Sequence, residues 1–285
     1  MDSEHRLVRA ALAVVSCTLA LAASVGPAAG QLCDPRKTRE EAGPGKVFAA
    51  YGVEGTFVVL NTGSHTCTSF NPTRAATRFL PASTFKIFNT MVALDEGSIP
   101  DAETVLKWDG VDRGSSAWNR DQNMRTAFRA STVWFYQELA RRTGEERMRK
   151  WLERERYGNA DPSGGIDRFW LDGGLRISAN EQIDFLYRLY RGELDFSARA
   201  QNIANDILTW ERSDEYVLKG KTGWTEYDGR QLGWLVGYVE RSGNIWIYAM
   251  NFESRDPAFP MVRAREAILR QLLDRLHVLP SPVAR

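Results

Sequence analysis

Ser83 and Lys86 stand one helical turn apart in the run PASTFKIFNTMVAL, residues 81–94. A serine hydroxyl is a poor nucleophile until a nearby base takes its proton. A lysine three positions on shares the serine's helix face, and an apolar setting disfavours its ammonium form and lowers its pKa. Phe85, Ile87 and Met91 supply such a setting. At a helix N-terminus, backbone N–H groups also lie near a developing oxyanion. The pair thus has what a nucleophile and its base need. On its own the motif does not separate this reading from a capping serine and a surface lysine.

The usual base for a serine is histidine, and this chain offers little of it. Beyond the first residues only His65 and His277 remain, the first in a polar turn and the second near the C-terminus. Neither has a Ser or Asp context resembling a triad, and no GxSxG elbow is present. Nor is there a P-loop or a dinucleotide fingerprint. The histidines and cysteines show no zinc-ligand spacing, so no metal is expected. Further along lie Ser131-Thr132-Val133, which opens a helix, and Lys221-Thr222-Gly223, on a strand. Taken singly, these read as a helix cap and an edge-strand turn.

The elements that must position these residues follow from the pattern. Residues 57–63, FVVLNTG, read as a strand and turn. A helix runs from Ser83 to about Glu96. Residues 131–144 and 145–158 read as two helices with a glycine stop, and 180–191 and 198–211 as two more. Residues 216–223, 231–240 and 244–252 are aromatic and β-branched with turns between them, which predicts antiparallel strands. Residues 262–276 form an amphipathic helix. A single early strand cannot bury its apolar face alone, so it should join the late sheet. The expected class is α+β: an antiparallel sheet flanked by N- and C-terminal helices, with a helical subdomain beside it and the active site at the seam.

The chain has 285 residues, 43% hydrophobic and 26% charged, with net charge +1, so nothing calls for nucleic acid or an anionic membrane. Its first thirty residues differ: Arg6 and Arg9 lead into an apolar run ending in small residues, as in a secretory signal peptide. Cleavage after Gly30 would leave residues 31–285 as a single exported domain with no stable membrane association. An uncleaved anchor and acylation at Cys17 fit less well, because the run is short for a span and continues past the cysteine. Export permits a disulfide between Cys33 and Cys67; sequence alone leaves the pairing open.

In this order, Ser83-x-x-Lys86, Ser131-x-Val133 and Lys221-Thr222-Gly223 resemble the motifs of the penicillin-recognising serine enzymes. Within them the chain resembles the class D, oxacillinase-type β-lactamases. The middle motif is Ser-x-Val where other classes commonly have Ser-x-Asn or Tyr-x-Asn. Tyr157-Gly158-Asn159 matches the class D YGN motif, and Phe169-Trp170-Leu171 in DRFWLDGGLRIS a further one. The resemblance extends from about Phe57 to Arg265.

That resemblance implies hydrolysis of the β-lactam amide through a Ser83 acyl-enzyme. Carbon dioxide or bicarbonate would carboxylate Lys86, with no other cofactor, and Lys86 would act as base in acylation and deacylation. It implies that the Trp170 indole holds the carbamate and Val133 walls it. Ser131 would relay a proton to the leaving nitrogen and Lys221 would tune that step. Backbone N–H groups of Ser83 and Trp224 would form the oxyanion hole. Thr222 and Gly223 would contact substrate, Arg265 would grip its carboxylate with Arg263 as the alternative, and Trp118 would border the cleft. The partner implied is a small β-lactam; a homodimer is left open. The hairpin TGWTEYDGRQLGWLVG leaves the substrate range open. The rival readings are a penicillin-binding transpeptidase and an antibiotic-sensing domain. Val133, the YGN and FWL elements and the short chain argue against the first, and the lack of further apolar spans against the second.

Overall fold

The computed structural model describes residues 32, 33 and 38–280. The signal-peptide reading, with Cys17 and the cleavage point, falls outside them. The chain opens with β1 (Arg39–Glu40), α1 (Gly43–Ala50), β2 (Glu54–Asn61), β3 (Thr66–Phe70) and α2 (Pro72–Ala76). A 3-10 turn (Ala82–Phe85) leads into α3 (Lys86–Asp95), followed by α4 (Met124–Arg129), α5 (Val133–Thr143), α6 (Glu145–Arg154), α7 (Ala179–Arg191) and α8 (Ala198–Ile207). Then come β4 (Thr209–Arg212), β5 (Tyr216–Tyr227), β6 (Arg230–Arg241), β7 (Asn244–Ser254) and α9 (Met261–Arg275).

The strands form one seven-stranded sheet in the order β1-β3-β2-β7-β6-β5-β4. All neighbours are antiparallel except β1 and β3. The early strand does join the late ones: β2 pairs with β7, with Phe57 opposite Met250. One sheet face packs on α1 and α9, burying Val47, Phe48, Leu235, Met250, Ile268 and Leu272. The other, with Val58, Val236 and Ala249, packs against the helical subdomain, where α7 lies on β2 and β7. Covering on both faces explains why β6 reads QLGWLVGYV rather than alternating apolar with polar. The α+β class and the flanking terminal helices are as the sequence predicts.

Several boundaries differ. The helix expected over 198–211 ends at Ile207, and β4 follows it. Gly220 N donates to Leu208 O at 2.8 Å and Thr209 pairs with Lys219, so hydrogen bonding to the edge of β5 overrides a helix-compatible pattern. The stretch TCTSFN, not read as a strand, forms β3, with Cys67 and Ser69 buried. The helix expected over 145–158 stops at Arg154, because Tyr157-Gly158-Asn159 forms a turn with Gly158 at φ 58°. The helix expected from Ser83 starts as the 3-10 turn, and the one expected from Ser131 begins at Val133. Cys33 and Cys67 form a disulfide with Cα atoms 5.4 Å apart. It ties the segment before β1 to β3, for about 3–4 kcal/mol on the chain-entropy account.

Candidate active site

Lys86 is the first residue of α3, and its Nζ donates to Ser83 Oγ at 2.6 Å. The lysine is 0% exposed and Ser83 is 8% exposed, enough for contact from outside. Burial pushes the Lys86 pKa down from 10.5 to about 7, because the charged form loses its hydration. A large share of the amine is therefore neutral at neutral pH. The turn beneath the serine is pinned from several sides. Ala82 N donates to Trp170 O at 3.0 Å, Thr84 Oγ1 donates to Pro81 O at 2.7 Å, and Gln182 Nε2 of α7 donates to Thr84 Oγ1 at 3.0 Å. Ala82 is held at φ 49°, a left-handed conformation costing about 1–3 kcal/mol that surrounding structure must enforce.

A second serine–lysine pair stands beside the first. Ser131 lies in the reversal between α4 and α5 at φ 55°. Lys221 Nζ reaches from β5 and donates to Ser131 Oγ at 2.9 Å and Thr222 O at 3.0 Å. Its pKa is pushed well down, chiefly by burial and further by the positive charges of Lys86 and Arg265. Trp118 braces this reversal: its Nε1 donates to Ala130 O at 2.9 Å, and Trp134 Nε1 donates to Trp118 O at 2.8 Å.

Strand β5 carries the wall opposite Ser83. A Cβ on Gly223 would sit 3.0 Å from Pro81 O and 3.2 Å from Thr84 Cγ2, so the Ser83 turn packs directly on the backbone there. Trp224 follows Gly223 and is 44% exposed. Arg265 of α9 is buried, and its Nη1 donates to Gly223 O at 2.6 Å, whereas Arg263 is exposed. Geometry thus brings Arg265, not Arg263, to the lysine–threonine–glycine strand.

Trp170 closes the opposite side. It is fully buried, stacks on Phe85 at 5.2 Å, and its Nε1 has no hydrogen-bond partner among the described residues. Its loop is anchored at both ends. Asn159 N donates to Arg176 O at 2.9 Å and Asn159 Nδ2 to Gly174 O at 2.9 Å, while Thr225 Oγ1 of β5 donates to Leu171 O at 3.0 Å. Only glycine fits at 158, where a Cβ would lie 2.0 Å from Arg176 O. The YGN triplet therefore clamps the loop that bears Trp170.

Sequence reasoning missed three contributors. Tyr136 of α5 lays its ring 5.5 Å from Lys86 Nζ. Gln182 props the nucleophile turn and Thr225 holds the tryptophan loop. Tyr136 had a legible signal: it follows Val133 by three positions and so shares its helix face. Val133 itself is half-buried at the start of α5.

With this geometry in place, the comparisons with known proteins fall into line. The family model of the penicillin-binding protein transpeptidase domain matches residues 55–274. The β-lactamase OXA-20 of Pseudomonas aeruginosa is 42% identical over 246 residues, 86% of this chain and 91% of that protein. The β-lactamase OXA-48 of Klebsiella pneumoniae is 42% identical over 233 residues, 82% of this chain and 87% of that protein. Among solved structures, the class D β-lactamase YbXI from Nostoc superposes with a TM-score of 0.80 at 43% identity, covering 83% of this chain and 99% of its own. FUS-1, a class D enzyme from Fusobacterium nucleatum, gives 0.80 at 36% identity, covering 85% and 100%. A serine hydroxyl hydrogen-bonded to a buried lysine, on this fold and with these relatives, places the chain in a family: it belongs to the class D serine β-lactamases.

Proposed function

We propose that the chain hydrolyses β-lactams through an acyl-enzyme on Ser83, with Lys86 providing the base in both halves of the reaction. The observation that carries this is the 2.6 Å contact between Ser83 Oγ and a fully buried amine whose pKa falls to about 7. In acylation the Ser83 proton leaves toward position 86 as Oγ bonds to the β-lactam carbonyl carbon. The oxyanion meets backbone N–H groups of Ser83 and Trp224. The C–N bond breaks, and the proton taken from Ser83 ends on the departing nitrogen, relayed through Ser131 Oγ. Lys221 orients that relay from 2.9 Å. In deacylation water adds to the acyl carbon, gives its proton at position 86, and that proton returns to Ser83 Oγ as the ester bond breaks. Thr222, Gly223 and Arg265 receive the substrate's carboxylate end, where a guanidinium can pair bidentately.

The residues around Lys86 fit a carboxylated side chain. Carboxylation by carbon dioxide needs a neutral amine, which burial supplies, and an N–H donor for the new oxygen atoms. Trp170 Nε1 is buried and lacks an acceptor among the described residues, a state rare enough in folded proteins to call for one. When present, the carbamate supplies a carboxylate base at this position, with Trp170 holding it and Val133 as its apolar wall. The apolar leader, and a disulfide that needs an oxidising compartment, support export to the periplasm or beyond. Among the described residues no helix is long and apolar enough to cross a membrane. The relatives named above are β-lactamases, which favours turnover over a lasting acyl adduct.

The test is nitrocefin hydrolysis in degassed buffer near pH 6.5, with and without added bicarbonate. The rate should fall on degassing and recover with bicarbonate; Lys86→Ala should not recover. Trp170→Phe should need about tenfold more bicarbonate, the scale of one hydrogen bond to a charged group. A rate blind to bicarbonate in both proteins, with no carbamate resonance after carbon-13 labelling, refutes the carboxylation.

A further inference from the structure

We infer that the cavity adjoining Lys221 and Thr222, bounded by Phe128, Arg129, Ile207 and Trp210, is a specificity subsite for an acidic substituent that the substrate carries next to its ring carboxylate. The inference rests on the reading of Ser83 as nucleophile and deepens it by naming a substrate class.

The cavity holds about 260 Å³ and opens where β4 leaves the edge of β5. Thr209 is the residue of β4 that pairs nearest the motif, opposite Lys219, so past that point the edge of β5 is lined by side chains rather than by a strand. Lys221 joins this space to the catalytic centre: it lines the cavity, its Nζ lies 5.4 Å over the Phe128 ring, and the same Nζ donates to Ser131 Oγ at 2.9 Å. A substrate whose ring carboxylate reaches Thr222 has this cavity beside it for the neighbouring substituent. The volume is below that of a whole drug-sized ligand site and suits one substituent.

The charge of the lining chooses the chemistry. Arg125 is engaged by both Glu103 and Asp206. Arg129, one turn on along α4, is exposed and has no carboxylate partner among the described residues. One guanidinium in the cavity is thus left uncompensated. Phe128 and Trp210 add flat apolar walls. A substituent ending in a carboxylate would meet the Arg129 fork in two parallel hydrogen bonds.

Two cephalosporins decide the matter. They share one acyl side chain and differ only at the end of the six-membered-ring substituent, a free carboxylate in one and its methyl ester in the other. Arg129→Ala should raise KM for the acid about two- to fivefold and leave the ester unchanged, the scale of an exposed ion pair. Arg129→Glu should raise it further, Arg129→Lys should retain part of the preference, and the acid–ester gap should shrink with salt. Acid and ester changing alike, or neither changing, while the ester is still hydrolysed, overturns the subsite and leaves the catalytic reading intact. Failure of the unaltered enzyme to hydrolyse either cephalosporin while nitrocefin is still turned over also overturns the subsite; failure to turn over nitrocefin and to acylate at Ser83 removes the catalytic reading, and the subsite with it.

Discussion

Ser83 and Ser131 each accept a hydrogen bond from a buried lysine, yet the two pairs are assembled in opposite ways and the proposed mechanism gives them different work. Ser83 and Lys86 are joined by a single turn, at 2.6 Å. Ser131 and Lys221 are brought to 2.9 Å by a loop between two helices and a strand far along the chain. Each Nζ lies over one aromatic ring, Tyr136 at 5.5 Å and Phe128 at 5.4 Å. What separates them is charge. Burial alone lowers the Lys86 pKa, whereas Lys221 also feels Lys86 and Arg265. Lys86 thus titrates near neutral pH, where a base works best. The Lys221 pKa is pushed well down by burial and by the positive charges of its neighbours, and a substrate carboxylate arriving there would raise it again.

The sharpest way to break this division is to delete each hydroxyl in turn. Ser83→Ala should lower kcat for nitrocefin by about 10⁴-fold or more, with no acyl adduct by mass spectrometry, as expected when a nucleophile is lost. Ser131→Ala should lose about 10²–10³-fold, the scale of one proton relay, while the adduct still forms slowly. Equal losses, or an adduct on Ser83→Ala, would mean the roles are misassigned.

A milder break concerns stability, where the first pair should be a burden. The Lys86 amine has pKa 10.5 unfolded and about 7 folded. Between those values the unfolded chain binds the extra proton, so stability rises with pH across that window. The penalty is full below pH 7 and gone above 10.5. Lys86→Met should therefore abolish activity yet raise stability at pH 7 by about 2 kcal/mol in carbon dioxide-free buffer, the range of gains at sites built for function. The gap in Tm between the two proteins should narrow steadily up to pH 10. A gap that is constant or widens would show that the amine is charged in the fold.

The same contrast marks what the sequence could show. The local pair was legible, because spacing and flanking residues place Lys86 over Ser83 without the rest of the chain. So were β5, β6 and β7, whose apolar runs and turns are local signals. The second pair was visible only as two motifs in order, since nothing in the residues alone brings Ser131 to Lys221. Ala82 and Ser131 in left-handed backbone were not legible at all: neither residue type announces a positive φ, and tertiary contacts such as Ala82 N to Trp170 O impose it. Strand β4 was lost for a related reason, as four residues at a sheet edge take their conformation from the neighbour.

The smallest expected effect sharpens the comparison through the rings. A ring face stabilises a desolvated ammonium by about 1–2 kcal/mol, and one pKa unit is about 1.4 kcal/mol. Tyr136 therefore holds the Lys86 pKa slightly above where burial alone would set it. Tyr136→Leu keeps the pocket apolar but removes the ring, so the acidic limb of kcat/KM should move about one unit to lower pH, and less bicarbonate should be needed there. Tyr136→Phe keeps the ring and should leave the limb in place. Phe128→Leu, beside the other lysine, should not move this limb either. A shift to higher pH in Tyr136→Leu would mean that water enters and solvates the ammonium, making desolvation by Tyr136, rather than its ring face, the property that matters to Lys86.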